Sequence, residues 1–111
     1  MKFYKVDDQI IIADAFNGGE ELLPNTTDAA GEKHVPVIEV NGDTVKVTVG
    51  SVEHPMLPAH FIQWIVLETE SGYQKKVLAP EMKPVAEFKV TEKVIAAYEY
   101  CNLHGLWKAE A

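Results

Sequence analysis

All four histidines and the only cysteine of this 111-residue chain fall in three short segments. The segments are Glu32-Lys33-His34-Val35-Pro36, His54-Pro55-Met56-Leu57-Pro58-Ala59-His60 and Cys101-Asn102-Leu103-His104. Imidazole and thiolate are the nitrogen and sulfur donors that proteins offer to transition metals. If these groups share one ion, the fold must bring three distant stretches to one place, which constrains the architecture more than any other feature. Spacing alone does not decide whether they do. His54 and His60 lie six apart around two prolines, a rigid loop rather than a helix or strand and not a zinc-finger spacing. Cys101 and His104 are three apart, so one loop could supply two ligands. A lone histidine is more often a surface or core residue than a ligand, and a lone buried cysteine is usually an inert small hydrophobe. Both readings stay open at this point.

The body of the chain reads as β. Val35 to Val40 is rich in β-branched residues, and Asn41-Gly42-Asp43 is a strong hairpin signal. Thr44 to Val49 alternates, with Val45, Val47 and Val49 on one face, as in a half-buried strand. Ile62 to Thr69 is more apolar and reads as a central strand, and Ser71-Gly72 turns the chain into Tyr73 to Leu78. Val85 to Val90 alternates again, with Ala86, Phe88 and Val90 in phase. Thr91 to Tyr100 is ambiguous: its Ala, Glu and Lys content favours helix, yet Ala96 to Tyr100 could enter a strand ending at Cys101. Residues 1 to about 33 carry Gly18-Gly19, Pro24, Asn25-Thr26-Thr27-Asp28 and Gly31, which are turn signals, with one short strand candidate at Ile10 to Ala13. Several short strands at this spacing suggest an all-β sandwich or barrel.

Composition limits the function classes. The length fits one domain. With 47% apolar and 24% charged residues, it has the make-up of a globular protein. Its net charge is −7 and its ten basic residues, all lysines, are scattered, which argues against a nucleic-acid partner. A single cysteine leaves no internal disulfide, so a reducing compartment is expected. The N-terminus places Asp7 and Asp8 where a signal peptide would keep its apolar stretch. No segment reaches the roughly 20 apolar residues of a membrane span. The expectation is a cytoplasmic location and no membrane contact.

The residues flanking the ligand candidates carry a resemblance. Glu32-Lys33-His34-Val35-Pro36-Val37-Ile38-Glu39, His54-Pro55-Met56 with His60-Phe61-Ile62-Gln63-Trp64-Ile65, and Glu99-Tyr100-Cys101-Asn102-Leu103-His104-Gly105-Leu106-Trp107 closely resemble the superoxide reductase family, the desulfoferrodoxins and neelaredoxins. The resemblance covers about residues 29 to 109. It implies an immunoglobulin-like sandwich or barrel of about seven strands, preceded here by a short irregular extension over residues 1–30, with the iron-binding domain at 31–111. It implies one iron per chain, with His34, His54, His60 and His104 as equatorial ligands and Cys101 as axial thiolate. Five protein ligands leave an octahedral metal one open position, whereas structural zinc sites close at four. A thiolate opposite that position pushes electron density toward whatever binds there.

The implied activity is one-electron reduction of superoxide to hydrogen peroxide, with rubredoxin or a similar small carrier as donor. The resemblance further implies that Lys33 attracts superoxide and helps deliver a proton. It implies that Glu32 takes the sixth position in the ferric state. Because a strand would point Lys33 away from His34, this segment is expected to be a mobile loop. Backbone N–H groups of Leu103 and His104 are expected to bond the Cys101 sulfur. Trp64, Tyr98 and Trp107 read as core or site-wall residues. Glu53 stands where many family members carry proline, a departure that removes no ligand. Two-iron members begin with a four-cysteine iron domain. Here Tyr4-Lys5 is followed by Val6 and Gln9, and no cysteines stand near Leu22 to Asn25, so that second centre has no ligands. A non-catalytic iron electron-transfer module and a structural zinc domain are the competing readings. Whether the chain forms a homo-oligomer is left open.

Overall fold

The computed structural model describes residues 1–26 and 31–111. The turn signals at Thr27-Asp28, the start of the resemblance near residue 29 and the division at residue 30 lie outside the described residues. The chain order is β1 (Lys2–Val6), β2 (Gln9–Ala13), β3 (Glu20–Leu22), α1 (Gly31–His34), β4 (Pro36–Asn41), β5 (Thr44–Val49), β6 (Ile62–Thr69), β7 (Gly72–Val77), β8 (Val85–Lys89), β9 (Val94–Cys101) and β10 (Gly105–Glu110).

Strands β4 to β10 make the expected seven-stranded body. They form two antiparallel sheets, ordered β10-β9-β6-β7 and β4-β5-β8, and no barrel closes among the described residues. Val45, Val47 and Val49 of β5 and Ala86, Phe88 and Val90 at β8 pack against Ile62, Ile65 and Leu67 of β6. This is the alternation read from the sequence, now seen as the sandwich interior. The β4–β5 hairpin closes through Gly42 at φ 64°, a backbone conformation that glycine adopts without strain.

The N-terminal segment differs from the irregular extension expected. It forms a third antiparallel sheet, ordered β2-β1-β3. Phe3 is buried with Trp64, Val66, Ala96, Tyr98 and Leu106, and Ile10, Ile12 and Leu22 pack on the same cluster. Phe3 stacks on Trp64 at 5.7 Å and tilts against Tyr98 at 4.7 Å. This third layer explains β9. Ala97 and Cys101 face the sandwich interior, while Ala96 and Tyr98 face the N-terminal sheet. A strand buried on both faces loses its polar alternation, so its pattern could not be told from a helix. The strand β10 was not read from the sequence; it pairs with β9 from Gly105↔Cys101 to Glu110↔Ala96.

Candidate metal centre

All three ligand-bearing segments meet at one end of the sandwich, where β5 and β9 finish and β4, β6 and β10 begin. Cys101 ends β9 and faces the interior, fully buried. A three-residue loop then returns into β10, with Gly105 at φ 82° taking the left-handed position such loops need. His104 is the last residue of that loop. His54 lies in the connection between β5 and β6, its N–H donating to the Val49 carbonyl at 3.1 Å. Within the same connection Leu57 and His60 exchange two backbone hydrogen bonds of 2.9 Å.

The segment at 31–34 is one helical turn rather than the expected loop. The Val35 N–H donates to the Gly31 carbonyl at 2.8 Å, and the Val52 N–H donates to the Glu32 carbonyl at 2.8 Å. A β-carbon on Gly50 would stand 2.7 Å from the Glu32 oxygen and 2.9 Å from the Lys33 carbonyl carbon. Only glycine lets the β5–β6 connection approach this turn so closely. The turn buries His34 and leaves Glu32 and Lys33 exposed.

Donor atoms of His34, His54, Cys101 and His104 all lie within 4.8 Å of one another. Metal–nitrogen and metal–sulfur bonds run to about 2.0–2.3 Å, so a small inward adjustment would let a single ion reach these donors. The Cys101 Sγ is 3.6 Å from His54 Nε2 and 3.7 Å from His104 Nδ1. The His54 Nδ1–H donates to the Pro55 carbonyl at 2.6 Å, which leaves Nε2 as the free lone pair facing the sulfur. His60 stands beside this cluster rather than in it. Its Nε2 is 3.2 Å from His104 Nδ1, and its ring meets those of His54 and His104 edge-on at 4.7 and 4.9 Å. Among the described residues, Glu32 and Lys33 make no side-chain ion pair, and the pKa values of His54 and His60 are lowered first by burial, then by neighbouring imidazoles and last by the Lys33 charge.

Burial sets the charge state of the cluster. Burial is the main cause that lowers the His34 pKa to about 4, followed by repulsion from His54, His104 and His60. Burial also lowers His54 and His60, so these imidazoles are kept in the neutral form that binds metal. Burial raises the Cys101 thiol, while the backbone N–H groups of Leu103 and His104 pull it back down. These are the two donors expected from the sequence.

Glu99, also fully buried, was missed. It lies 3.5 Å from His34 Nδ1, and neither the imidazole nitrogen nor the two carboxylate oxygens has a hydrogen-bond partner. Burial holds its carboxyl well above the usual range. Such orphaned atoms beside ligand candidates fit a cationic centre, because a carboxylate behind a ligating histidine steadies it. The signal was present: Glu99 precedes Cys101 by two, on the same face of a strand, and is the charge in an otherwise apolar run. Trp107 proves to be a site wall. Its ring stacks on His34 at 4.7 Å and 13°, and its indole N–H donates to the His104 carbonyl at 3.1 Å. Trp64 and Tyr98 are core residues under the N-terminal sheet.

Fold and site together define an antiparallel β-sandwich carrying at one end a cluster of histidines and a thiol that could hold one metal ion. The desulfoferrodoxin family profile matches residues 26–110. A desulfoferrodoxin of Clostridium acetobutylicum is 54% identical over 91 residues, covering 81% of this chain and 71% of its own. A superoxide reductase of Pyrococcus horikoshii is 40% identical over 102 residues, covering 75% and 89%. The superoxide reductase structure from Treponema pallidum aligns with a TM-score of 0.85 at 41% identity over 98% of both chains, so the likeness takes in the N-terminal sheet. The chain belongs to the desulfoferrodoxin family.

Proposed function

We propose that this protein is a superoxide reductase that works at one non-haem iron. The observation that carries the reading is the meeting of neutral imidazoles with a buried thiol at one end of the sandwich. His34, His54, His104 and Cys101 would hold the metal, with His60 as a fifth ligand from the rim. Bound Fe(II) would supply one electron and an open position to superoxide, which takes up two protons and leaves as hydrogen peroxide without forming dioxygen. Cys101 is the strongest electron donor in the set, and its environment governs how much charge it releases.

Lys33 is assigned the task of attracting the anion. A chain of net charge −7 repels superoxide at long range, so a local cation beside the site offsets that repulsion. Glu32, on the same turn, is assigned as an exchangeable sixth ligand in the ferric state. The catalytic unit is residues 31–111, which hold every ligand named, and residues 1–30 are an extension without a metal site. Rubredoxin or a similar small carrier is the electron donor proposed, and the exposed His104 edge offers it an entry point. No helix among the described residues is long and apolar enough to cross a membrane. The unpaired thiol suits a reducing compartment such as the cytoplasm.

The test is direct. Reduced, iron-loaded protein should consume superoxide and yield peroxide with no oxygen, and its oxidised form should show a thiolate-to-iron charge-transfer band. Stoichiometric zinc from iron-replete cells, without iron-dependent activity, would sink the reading. Lys33→Ala should slow the reaction about tenfold and flatten its ionic-strength dependence. An unchanged rate and salt response would remove Lys33 from the mechanism.

A further inference from the structure

The Asn102 side chain joins the two loops that carry the rim of the site. Its Oδ1 accepts the Phe61 N–H at 2.9 Å. Its Nδ2 donates to the Ala59 carbonyl at 3.0 Å. The Asn102 backbone N–H adds a bond to the Phe61 carbonyl at 3.3 Å. Ala59 and Phe61 flank His60, while Asn102 itself sits between Cys101 and His104. One carboxamide therefore ties both sides of His60 to the hairpin that bears the sulfur and another imidazole.

Apart from its contacts with the His54 and His104 rings, His60 has little else to hold it there. It is only partly buried, and its two backbone bonds run to Leu57 within its own loop. The other side-chain bonds from this loop to the Cys101–His104 turn run between the ligand candidates themselves, His60 Nε2 to His104 Nδ1 at 3.2 Å and His54 Nε2 to Cys101 Sγ at 3.6 Å. The task needs a donor and an acceptor on one short planar group. An aspartate would keep the acceptor, lose the donor and set a charge against the Ala59 carbonyl.

We propose that Asn102 is a positioning residue that fixes the His60 imidazole relative to Cys101 and His104, and so sets its share of the metal centre. This rests on the reading of His60 as a ligand. Residues that orient a ligand typically change metal affinity by about 10–100-fold when removed. An effect routed through His60 must vanish when His60 is gone, whereas independent effects add.

The experiment uses the iron-loaded full chain and measures iron affinity by chelator competition, with the thiolate-to-iron band followed alongside. Wild type, Asn102→Ala, Asn102→Asp, His60→Ala and the Asn102→Ala/His60→Ala pair are compared. Asn102→Ala and Asn102→Asp should each weaken iron binding about 10–100-fold. Asn102→Ala should add no further loss once His60 is removed. Exchange of the Phe61 amide should quicken in Asn102→Ala and stay slow in Asn102→Asp, which keeps its acceptor. If Asn102→Ala does not fold, the isosteric Asn102→Asp, paired with His60→Ala, decides. Wild-type affinity in the Asn102 variants, or equal losses with and without His60, overturns the proposal. If His60→Ala alone leaves affinity and spectrum unchanged, the ligand reading falls and this inference falls with it.

Discussion

Trp107 touches two ligand segments by two different contacts, and these can be removed separately. The residue is 2% exposed. Its ring lies on His34, and its N–H holds the His104 carbonyl. Trp107→Phe keeps a ring for the stack and deletes the hydrogen bond, for which about 1 kcal/mol is typical. At roughly 4–8 °C per kcal/mol for a domain of about this size, the metal-free melting temperature should drop by about that interval. Trp107→Ala removes both contacts and opens a cavity, at about 3–5 kcal/mol. That is a large part of the roughly 5–15 kcal/mol a domain has. Urea unfolding followed by the fluorescence of the remaining Trp64 measures both variants without metal, and chelator competition then measures iron affinity. The expected order is wild type, Trp107→Phe, Trp107→Ala in both assays. A Trp107→Phe variant equal to wild type in both would refute a role for the indole N–H. Equal losses in the two variants would refute a role for the stack.

Three further expectations follow from packing and burial. Gly50→Ala forces a methyl against the backbone of Glu32 and Lys33, so it should cost about 1–3 kcal/mol and weaken iron binding. Unchanged urea midpoint and iron affinity would mean that the turn moves freely. Phe3→Ala should cost about 3–5 kcal/mol and speed amide exchange in β1–β3. The charge-transfer band should persist, and its loss would show that the N-terminal sheet supports the site directly. The third concerns pH in the metal-free protein. The unfolded chain protonates its histidines near 6.5 and folded His34 only near 4, so His34's contribution is complete above pH 6.5 and is lost as pH falls toward 4. His54 and His60 act in the same direction. Glu99, raised by burial, has the opposite sign: its contribution is complete below about 4.5 and is lost as pH rises through its folded value. Glu99→Gln should therefore steepen the fall in urea midpoint between pH 6.5 and 4.5, and equal slopes would refute the opposition.

Read alone, the sequence specifies which donor groups the chain offers a metal and the sandwich's most regular strands. Those signals are local: donor chemistry belongs to single residues, the hairpin at Asn41-Gly42 to a dipeptide, and the period of two in β5 and β8 to strands with one wet face. It also shows that residues 1–30, which hold no cysteine, cannot supply a four-cysteine iron site. Tertiary structure decided the rest. β9 reads as helix or strand until the N-terminal sheet covers its second face. Residues 31–34 form a helical turn because Gly50 lets the β5–β6 connection bond to it. Glu99, Trp107 and Asn102 have ordinary local surroundings in the sequence. Their importance comes from what lies across the site: an imidazole 3.5 Å from Glu99, one stacked on Trp107, and the two loops joined by Asn102. Donors can be recognised one residue at a time, but the groups that hold donors in place act across long chain separations, and only the folded chain specifies those.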